Sequence, residues 1–403
     1  MTSSEILLEI LKKQDIKHFL YLPCDRVKSF LFFLENQREN LPFSLISLTR
    51  EEEGIGISFG LNLGKEKNVL FIQSSGFGNI IGALITLTKT YNFPLPILVS
   101  LRGLYKEKIY PQILMGKALL DILKALKIDH VFIENKKDLE KIEKLIESSY
   151  KERKIKVALI LPSVFEGENY KNSIFEKDRC FEKEILYKKK VCTPDMTRYE
   201  FFKEFLGILK SYKEKRKIKK LLSSYKNFVF FVNIGFPSRE FYYAQKEIKT
   251  SFPSFYMLGS LGLVSSIAFG FSITHLGKQY KVISLDGDGS LLMNTGTLAT
   301  INAFGKENLS IYCIDNGSWG STGDQEIYTF DKVDLELVAK GVGFKYTSFI
   351  NYKKDLYLLF EEKNLLNKSF NHILVKPGNE KVPTIEKSPS EIIKDFYDAL
   401  LVV

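Results

Sequence analysis

The sequence predicts an α/β protein of two parallel-sheet domains, each flanked by helices, with no third domain between them. Three observations lead there. Apolar runs rich in Val, Ile and Phe alternate with segments of helical period almost from end to end, the pattern of strands joined by crossover helices. The alternation lapses once, over residues 163–196, where the chain is charged and holds no sustained period. A length of 403 residues suffices for two cores and excludes a peptide or tail.

Taken in order, the amino-terminal MTSSEILLEILKKQ sets Glu5 and Glu9 among its apolar positions and reads as a capped amphipathic helix, not a signal peptide. Strands are expected over 18–22, 44–48, 69–73, 95–100, 130–134 and 157–161, separated by helix-length segments. The lapse then sets the boundaries: a first domain over 1–165, a linker over 166–195 and a second domain over 196–403. Strand runs resume at 228–233, 281–286, 309–315 and 372–376, and no repeat relates the two halves. The longest uncharged stretch, 250–277, could span a bilayer by length, but Pro253 and its scattered Gly and Ser make it a strand, a turn and a helix buried in protein.

Composition narrows the class. Hydrophobic residues at 45% and charged residues at 26% exclude wholesale disorder and collagen-like chains. Cys24, Cys180, Cys192 and Cys313 form no CxxC pair, which excludes a zinc ribbon or a disulfide framework by spacing, and a reducing cytoplasmic setting is expected. The net charge of +10 admits nucleic acid, a membrane surface or a small anion as partner. Its densest basic run, 210–226, carries apolar residues at helical intervals and reads as the solvated face of a surface helix, so neither nucleic acid nor membrane is expected.

Three glycine-bearing turns could carry chemistry. Gln73-Ser-Ser-Gly-Phe-Gly-Asn79 follows a strand, but Ile81 stands where a dinucleotide fingerprint needs its third glycine and no acid ends a second strand at the required interval, so a tight turn explains it as well. Leu285-Asp-Gly-Asp-Gly-Ser290 ends an apolar strand in two acids, and the next strand ends in Asp315-Asn-Gly-Ser-Trp-Gly-Ser-Thr-Gly323. Adjacent strand ends would present Asp288 and Asn316 side by side; a carboxylate, an amide and a nearby carbonyl oxygen suit Mg²⁺ bridging to a phosphate. The amides of Gly289 and Ser290 at a helix start complete a diphosphate cradle.

Gly287-Asp-Gly-Ser290 followed by Asp315-Asn-Gly317 resembles the thiamine diphosphate and magnesium motif of thiamine-dependent enzymes, GDG then NN, with Asp315 replacing the first Asn. The resemblance implies a pyrimidine-binding first domain and a diphosphate-binding second domain. It implies that Asp288, Asn316 and the main-chain carbonyl of Ser318 hold Mg²⁺, and that Gly287, Asp288, Gly289, Ser290 and Asn316 hold the cofactor. Gly259-Ser260-Leu261-Gly262 is similar to the segment that wedges a bulky side chain, here Leu261, under the cofactor. Thiamine also needs a carboxylic acid on its pyrimidine ring nitrogen to promote loss of the thiazolium C2 proton. Thr49-Arg-Glu-Glu-Glu-Gly-Ile-Gly56 resembles the family's E-x-G-x-G segment and selects Glu52, with Glu51 and Glu53 one residue away.

Leu22-Pro-Cys-Asp-Arg-Val-Lys28, Ser75-Gly-Phe-Gly-Asn79, Arg102-Gly103, Met115-Gly-Lys117 and Ser238-Arg-Glu240 look most like the sulfopyruvate decarboxylases, with α and β subunits fused. Phosphonopyruvate decarboxylases share several of these segments, and a carboxy-terminal pattern like Pro383-Thr384 and Ser388-Pro389. The resemblance implies decarboxylation of an anionic 2-oxoacid, 3-sulfopyruvate first and phosphonopyruvate or another 2-oxoacid as alternatives. Arg26, Arg50, Asn79, Arg102 and Lys117 would meet the substrate, in a homodimer or homotetramer with cofactor sites between chains. A basic binding protein on a degenerate frame is the alternative of another class, and the intact paired motif argues against it. His18, His130, His275 and His372 keep no motif company and are expected to be structural; Cys24 either touches substrate or is a packed thiol.

Overall fold

A computed structural model describes residues 1–171, 182–185, 187–214 and 224–401. The chain divides into two compact units, 1–183 and 184–403. Cys180 and residues 215–223 of the basic run lie outside the described residues.

The first unit is a six-stranded parallel sheet of β1 His18–Tyr21, β2 Ser44–Ser47, β3 Asn68–Gln73, β4 Leu95–Ser100, β5 Asp129–Ile133 and β6 Ile155–Ile160. The order is β2-β1-β3-β4-β6-β5. β4 is buried along its whole length, as a strand covered on both faces must be, which is why its sequence is an unbroken apolar run. The order reverses between β1 and β3, and in such sheets the loops leaving the carboxyl ends of those strands open a crevice. The core on one face is aromatic: Phe30 packs on Phe19 and Phe71 with ring centroids 6.0 Å from each. The helix Ser3–Lys13 is closed by a Thr2–Glu5 capping box, and Glu168 accepts from the Ser3 and Ser4 amides at 2.6 and 3.2 Å. The Tyr170 ring packs tilted on Phe33 with centroids 4.9 Å apart, so the chain beyond residue 165 still belongs to the first unit.

The second unit pairs β7 Phe228–Val232, β8 Ser254–Tyr256, β9 Lys281–Gly287, β10 Leu309–Asp315, β13 Tyr346–Ile350 and β14 Ser369–Leu374 in the order β13-β14-β10-β9-β7-β8, all parallel. A short hairpin of β11 Ser318–Trp319 and β12 Gln325–Glu326 follows β10. β13 carries no signal in the sequence reading, and β8 only that of a strand without bounds inside 250–277; both are edges of this sheet. β8 has three residues and β13 is only half-buried, so neither shows the apolar run of a covered strand. The last strand starts at Ser369 and not near His372. Its first half hides polar residues, Ser369 bonded to Ser310 at 2.8 Å and Asn371 to Ser369 at 3.1 Å.

The 250–277 stretch becomes β8, a turn and the helix Val264–Ser272, every residue of which is buried. No helix among the described residues is long and apolar enough to cross a membrane. Cys24, Cys192 and Cys313 are free thiols.

Two of the segments that resemble the family's motifs fold as one body. Gly103 takes φ +95° against the backbone of Gln112, and a Cβ on Gly116 would stand 2.0 Å from the carbonyl oxygen of Arg102. The loop after β4 therefore lies directly on the helix Tyr110–Ala125. Gly116→Ala should lower the unfolding free energy by about 1–3 kcal/mol, since backbone must move to admit the methyl. Gly82→Ala, with nothing within 4 Å of the added carbon, should be neutral or slightly stabilising. Denaturant unfolding of the two variants checks the contrast.

Candidate active site

In the second unit β9 and β10 are parallel neighbours, with Gly287 paired to Ile314. Asp288 opens the helix Asp288–Met293, and its Oδ2 accepts from the Gly317 amide at 3.1 Å and from Thr329 Oγ1 at 2.9 Å. Asp315 Oδ1 draws on the same two donors, at 2.9 and 3.1 Å. Both carboxyl groups are buried. Burial, and then the charge of Asp315, push the Asp288 carboxyl up to about 8. Burial acts on Asp315 too, but His372 holds it below its ordinary value, with Nε2 2.8 Å from Oδ2. Behind His372 stands Lys189, 3.0 Å from Nδ1, itself 2.9 Å from Asp334, which also accepts from Tyr187. His372 thus sits in a buried charge network that reaches Tyr187 and Lys189 at the start of the second unit.

Asp288, Asn316 and Ser318 line one pocket together with Leu261, Gly287, Gly289 and Ser290, facing Asn233, Ile234 and Phe236 from the end of β7. Gly289 is required by close approach: a Cβ there would lie 2.5 Å from the Trp319 ring. The Gly262 amide donates to Ser290 Oγ at 3.1 Å, tying the two glycine turns together. Ser260 at φ +64° and Gly259 form the turn that delivers Leu261 to the pocket. The Asn316 amide bonds Ser318 through both ends, Nδ2 to Oγ at 3.1 Å and Oδ1 from the amide at 3.3 Å, leaving the oxygen a second lone pair. A buried carboxyl whose negative charge the protein itself leaves uncompensated, next to amide and carbonyl oxygens, is a donor set that a hard divalent cation would satisfy, so the residues fit Mg²⁺.

Two further pocket residues carried no motif signal. Arg198 forks onto Glu240 with two bonds of 2.8 Å and reaches Asn379 Oδ1 at 2.8 Å; Asn379 Nδ2 then donates to the Gly320 carbonyl at 2.6 Å. Glu240, the acid of Ser238-Arg-Glu240, is the buttress of this cluster.

In the first unit three acids fill the first turn of the helix Glu51–Leu63 and take three different environments. Glu51 accepts from Asn79 at 2.9 Å and presses on Gly76, where a Cβ would be 2.1 Å from its Oε1. Glu53 is fully buried and accepts from Thr49 Oγ1 at 2.8 Å. Glu52 is half-buried, 3.6 Å from the exposed Arg50; burial raises its carboxyl above the ordinary value against the pull of that cation.

The other cations divide likewise. Arg26 and Arg102 converge on Glu107, Nη2 of the first at 3.4 Å and Nε of the second at 2.8 Å. Lys117 is exposed on the helix Tyr110–Ala125, one residue past the glycine that touches Arg102. Cys24 Sγ lies 3.4 Å from Ser100 Oγ, buried beneath this loop.

The family model of the thiamine pyrophosphate enzyme C-terminal TPP binding domain matches residues 235–364, which include the part of the Asp288 pocket from Phe236 to Thr322 but not Arg198, Asn233, Ile234 or Asn379. The sulfopyruvate decarboxylase of Methanosarcina acetivorans is 36% identical over 399 residues, covering 98% of this chain and 97% of that protein. The chain belongs to the sulfopyruvate decarboxylase family. Within that family, the β subunit of the sulfopyruvate decarboxylase of Methanothermobacter thermautotrophicus is 42% identical over 165 residues, 41% of this chain and 82% of that subunit. The fold is shared more widely. A thiamine diphosphate-dependent 4-hydroxybenzoylformate decarboxylase of Rhodococcus jostii RHA1 superposes with a TM-score of 0.56 at 12% identity, covering 94% of this chain and 99% of that one.

Two outcomes follow from the geometry. His372→Asn should cost about 3–5 kcal/mol, because it strips a buried acid of its partner, whereas the double variant with Asp315→Asn should recover most of the loss. Denaturant unfolding of the two single variants and the double tests the cycle. The Glu107 carboxyl, held down to about 2 chiefly by its bond to Arg102, stabilises the fold fully above its ordinary value of 4.5 and loses that contribution as the pH falls toward 2. Unfolding midpoints from pH 6 to 2 should therefore fall more steeply in the wild type than in Glu107→Gln.

Proposed function

We propose that this chain catalyses the non-oxidative decarboxylation of 3-sulfopyruvate to sulfoacetaldehyde and CO₂ with thiamine diphosphate and Mg²⁺. The observation that carries the reading is the Asp288 pocket, in which a carboxyl, an amide and a carbonyl converge beside a glycine turn that presents Leu261. Bound thiamine diphosphate supplies an electron sink for the bond that breaks as CO₂ leaves. Asp288, Asn316 and the Ser318 carbonyl would hold the metal, and Gly287, Gly289 and Ser290 the diphosphate, with Leu261 beneath the rings.

Glu52 is the acid for the pyrimidine nitrogen. Its neighbours Glu51 and Glu53 are engaged with Asn79 and Thr49, and a carboxyl raised by burial keeps the proton that such a hydrogen bond must donate. Arg26 and Arg102 would receive the sulfonate, with Arg50, Asn79 and Lys117 completing the substrate set; each charge-assisted bond is worth about 1.5–3 kcal/mol. The reading takes the protein as a homodimer or homotetramer that shares its cofactor between chains.

The test is turnover of sulfopyruvate, phosphonopyruvate and pyruvate side by side. Sulfopyruvate should have the highest kcat/KM, and equal values for sulfopyruvate and pyruvate would sink the substrate assignment. Asp288→Ala should abolish Mg²⁺-dependent binding of thiamine diphosphate, read by calorimetry. Glu52→Gln should retain cofactor binding while decarboxylation drops by about 10²–10⁴. Glu53→Gln should act on stability far more than on rate; the reverse order would make Glu53 the acid.

A further inference from the structure

Glu107 belongs to none of the segments that resemble the family's motifs, yet it is the point on which two of the proposed substrate cations meet. We propose that Glu107 is the specificity-determining residue of the anion subsite: it aims Arg26 and Arg102 and trims their joint charge to a single positive one, which suits a monoanionic sulfonate tail better than a dianionic phosphonate. This rests on the reading that Arg26 and Arg102 meet the substrate's tail.

The geometry is that of a buttress. Arg26 comes from the turn after β1 and Arg102 from the end of β4, while Glu107 stands on the loop that leads into the helix Tyr110–Ala125. The Glu107 side chain is 2% exposed and that of Arg102 is 9% exposed. The carboxylate is itself fixed: Oε1 accepts from the Lys108 and Ile109 amides, each at 3.1 Å, besides Arg26, and Oε2 takes Arg102. The Arg102 backbone is equally fixed, its amide donating to Ser74 Oγ at 3.2 Å and its carbonyl lying on Gly116. Only the guanidinium of Arg102 has freedom left, and Glu107 removes it by holding Nε. A guanidinium has five N–H donors in a planar fork. With Nε engaged on one edge, the two terminal nitrogens of Arg102 are used by no other described residue and can meet an oxyanion.

The charge count follows from the same contacts. Two arginines and one glutamate leave one net positive charge. Two neighbouring ion pairs add no net charge, Asp25 with Lys28 at 3.1 Å and Lys106 with Glu166 at 2.8 Å. A sulfonate carries one negative charge at any working pH. A phosphonate approaches two above neutrality, as phosphoryl groups do, and its second charge would face the Glu107 carboxylate.

The experiment is the ratio of kcat/KM for sulfopyruvate to that for phosphonopyruvate at pH 8, in the holoenzyme and in Glu107→Gln. The variant keeps the shape and removes the charge, so the ratio should fall about tenfold toward phosphonopyruvate. A merely structural role would lower both values together, and an unchanged ratio overturns the proposal. Arg102→Ala separates this from the underlying reading. Should it leave the preference for sulfopyruvate over pyruvate intact, Arg102 does not meet the tail and both fall; should it erase that preference while Glu107→Gln leaves the ratio unchanged, the Glu107 proposal falls alone. A wild-type measurement needs no variant to fold: lowering the pH from 8 to 6 should raise phosphonopyruvate relative to sulfopyruvate as the phosphonate dianion takes up one proton and becomes a monoanion, and a flat ratio counts against the proposal.

Discussion

Two buried carboxyl groups, Asp288 and Asp315, lean on one amide and one hydroxyl, and much of the second unit is arranged to make that tolerable. Like charges at this separation in a buried setting cannot both ionise without help. The help arrives from β14, where His372, paired with Cys313, reaches Asp315 two residues along, and from Lys189, whose ammonium lies 4.0 Å from the centroid of the Phe349 ring. The fold thereby gives the two acids opposite tendencies. One is steadied as an anion by neighbours inside the protein, and the other is left wanting a cation from outside.

This division explains which parts of the site could be seen in the sequence. The glycine turns at 259–262 and 287–290 announce themselves because each glycine answers a local demand, a positive φ at Gly262 or the Trp319 ring against Gly289. The sheets were legible for the same reason, since covered parallel strands such as β4 and β7 are apolar along nearly all their length and leave little ambiguity. The edge strand β13 was not, and β8 was legible only without its bounds, because the requirement that writes such runs does not apply to them. His372, Arg198, Asn379 and Glu107 were opaque on other grounds. Each is a single polar residue whose partner lies far away in sequence or on another element, 57 residues away for His372 and 181 for Arg198 and Asn379. No spacing rule announces a contact of that kind. Asp315 had been visible as a departure from the family's Asn; the imidazole that accompanies the departure was not.

The three consecutive glutamates of the first unit show how a helix start sorts chemically identical residues. Successive positions on a helix point about 100° apart, so one acid meets the turn at Gly76, the next faces outward beside Arg50 and the third reaches back to Thr49. Sequence could narrow the choice to this triplet by its glycines. The separation of roles within it depends on what each direction encounters, which only the packing of the neighbouring loop decides.

The contacts at the two ends of the charged middle segment bear on how such a protein can be divided. Glu168 closes the amino end of the first helix of the first unit, and Tyr187 and Lys189 belong to the charge network behind Asp315 in the second. A gene encoding the same enzyme as two polypeptides would have to break within the short interval between Tyr170 and Tyr187 for each product to keep the residues that finish its own fold. The boundary between a one-chain and a two-chain architecture is thus set less by where the sheets end than by a cap on one side and a counter-ion on the other.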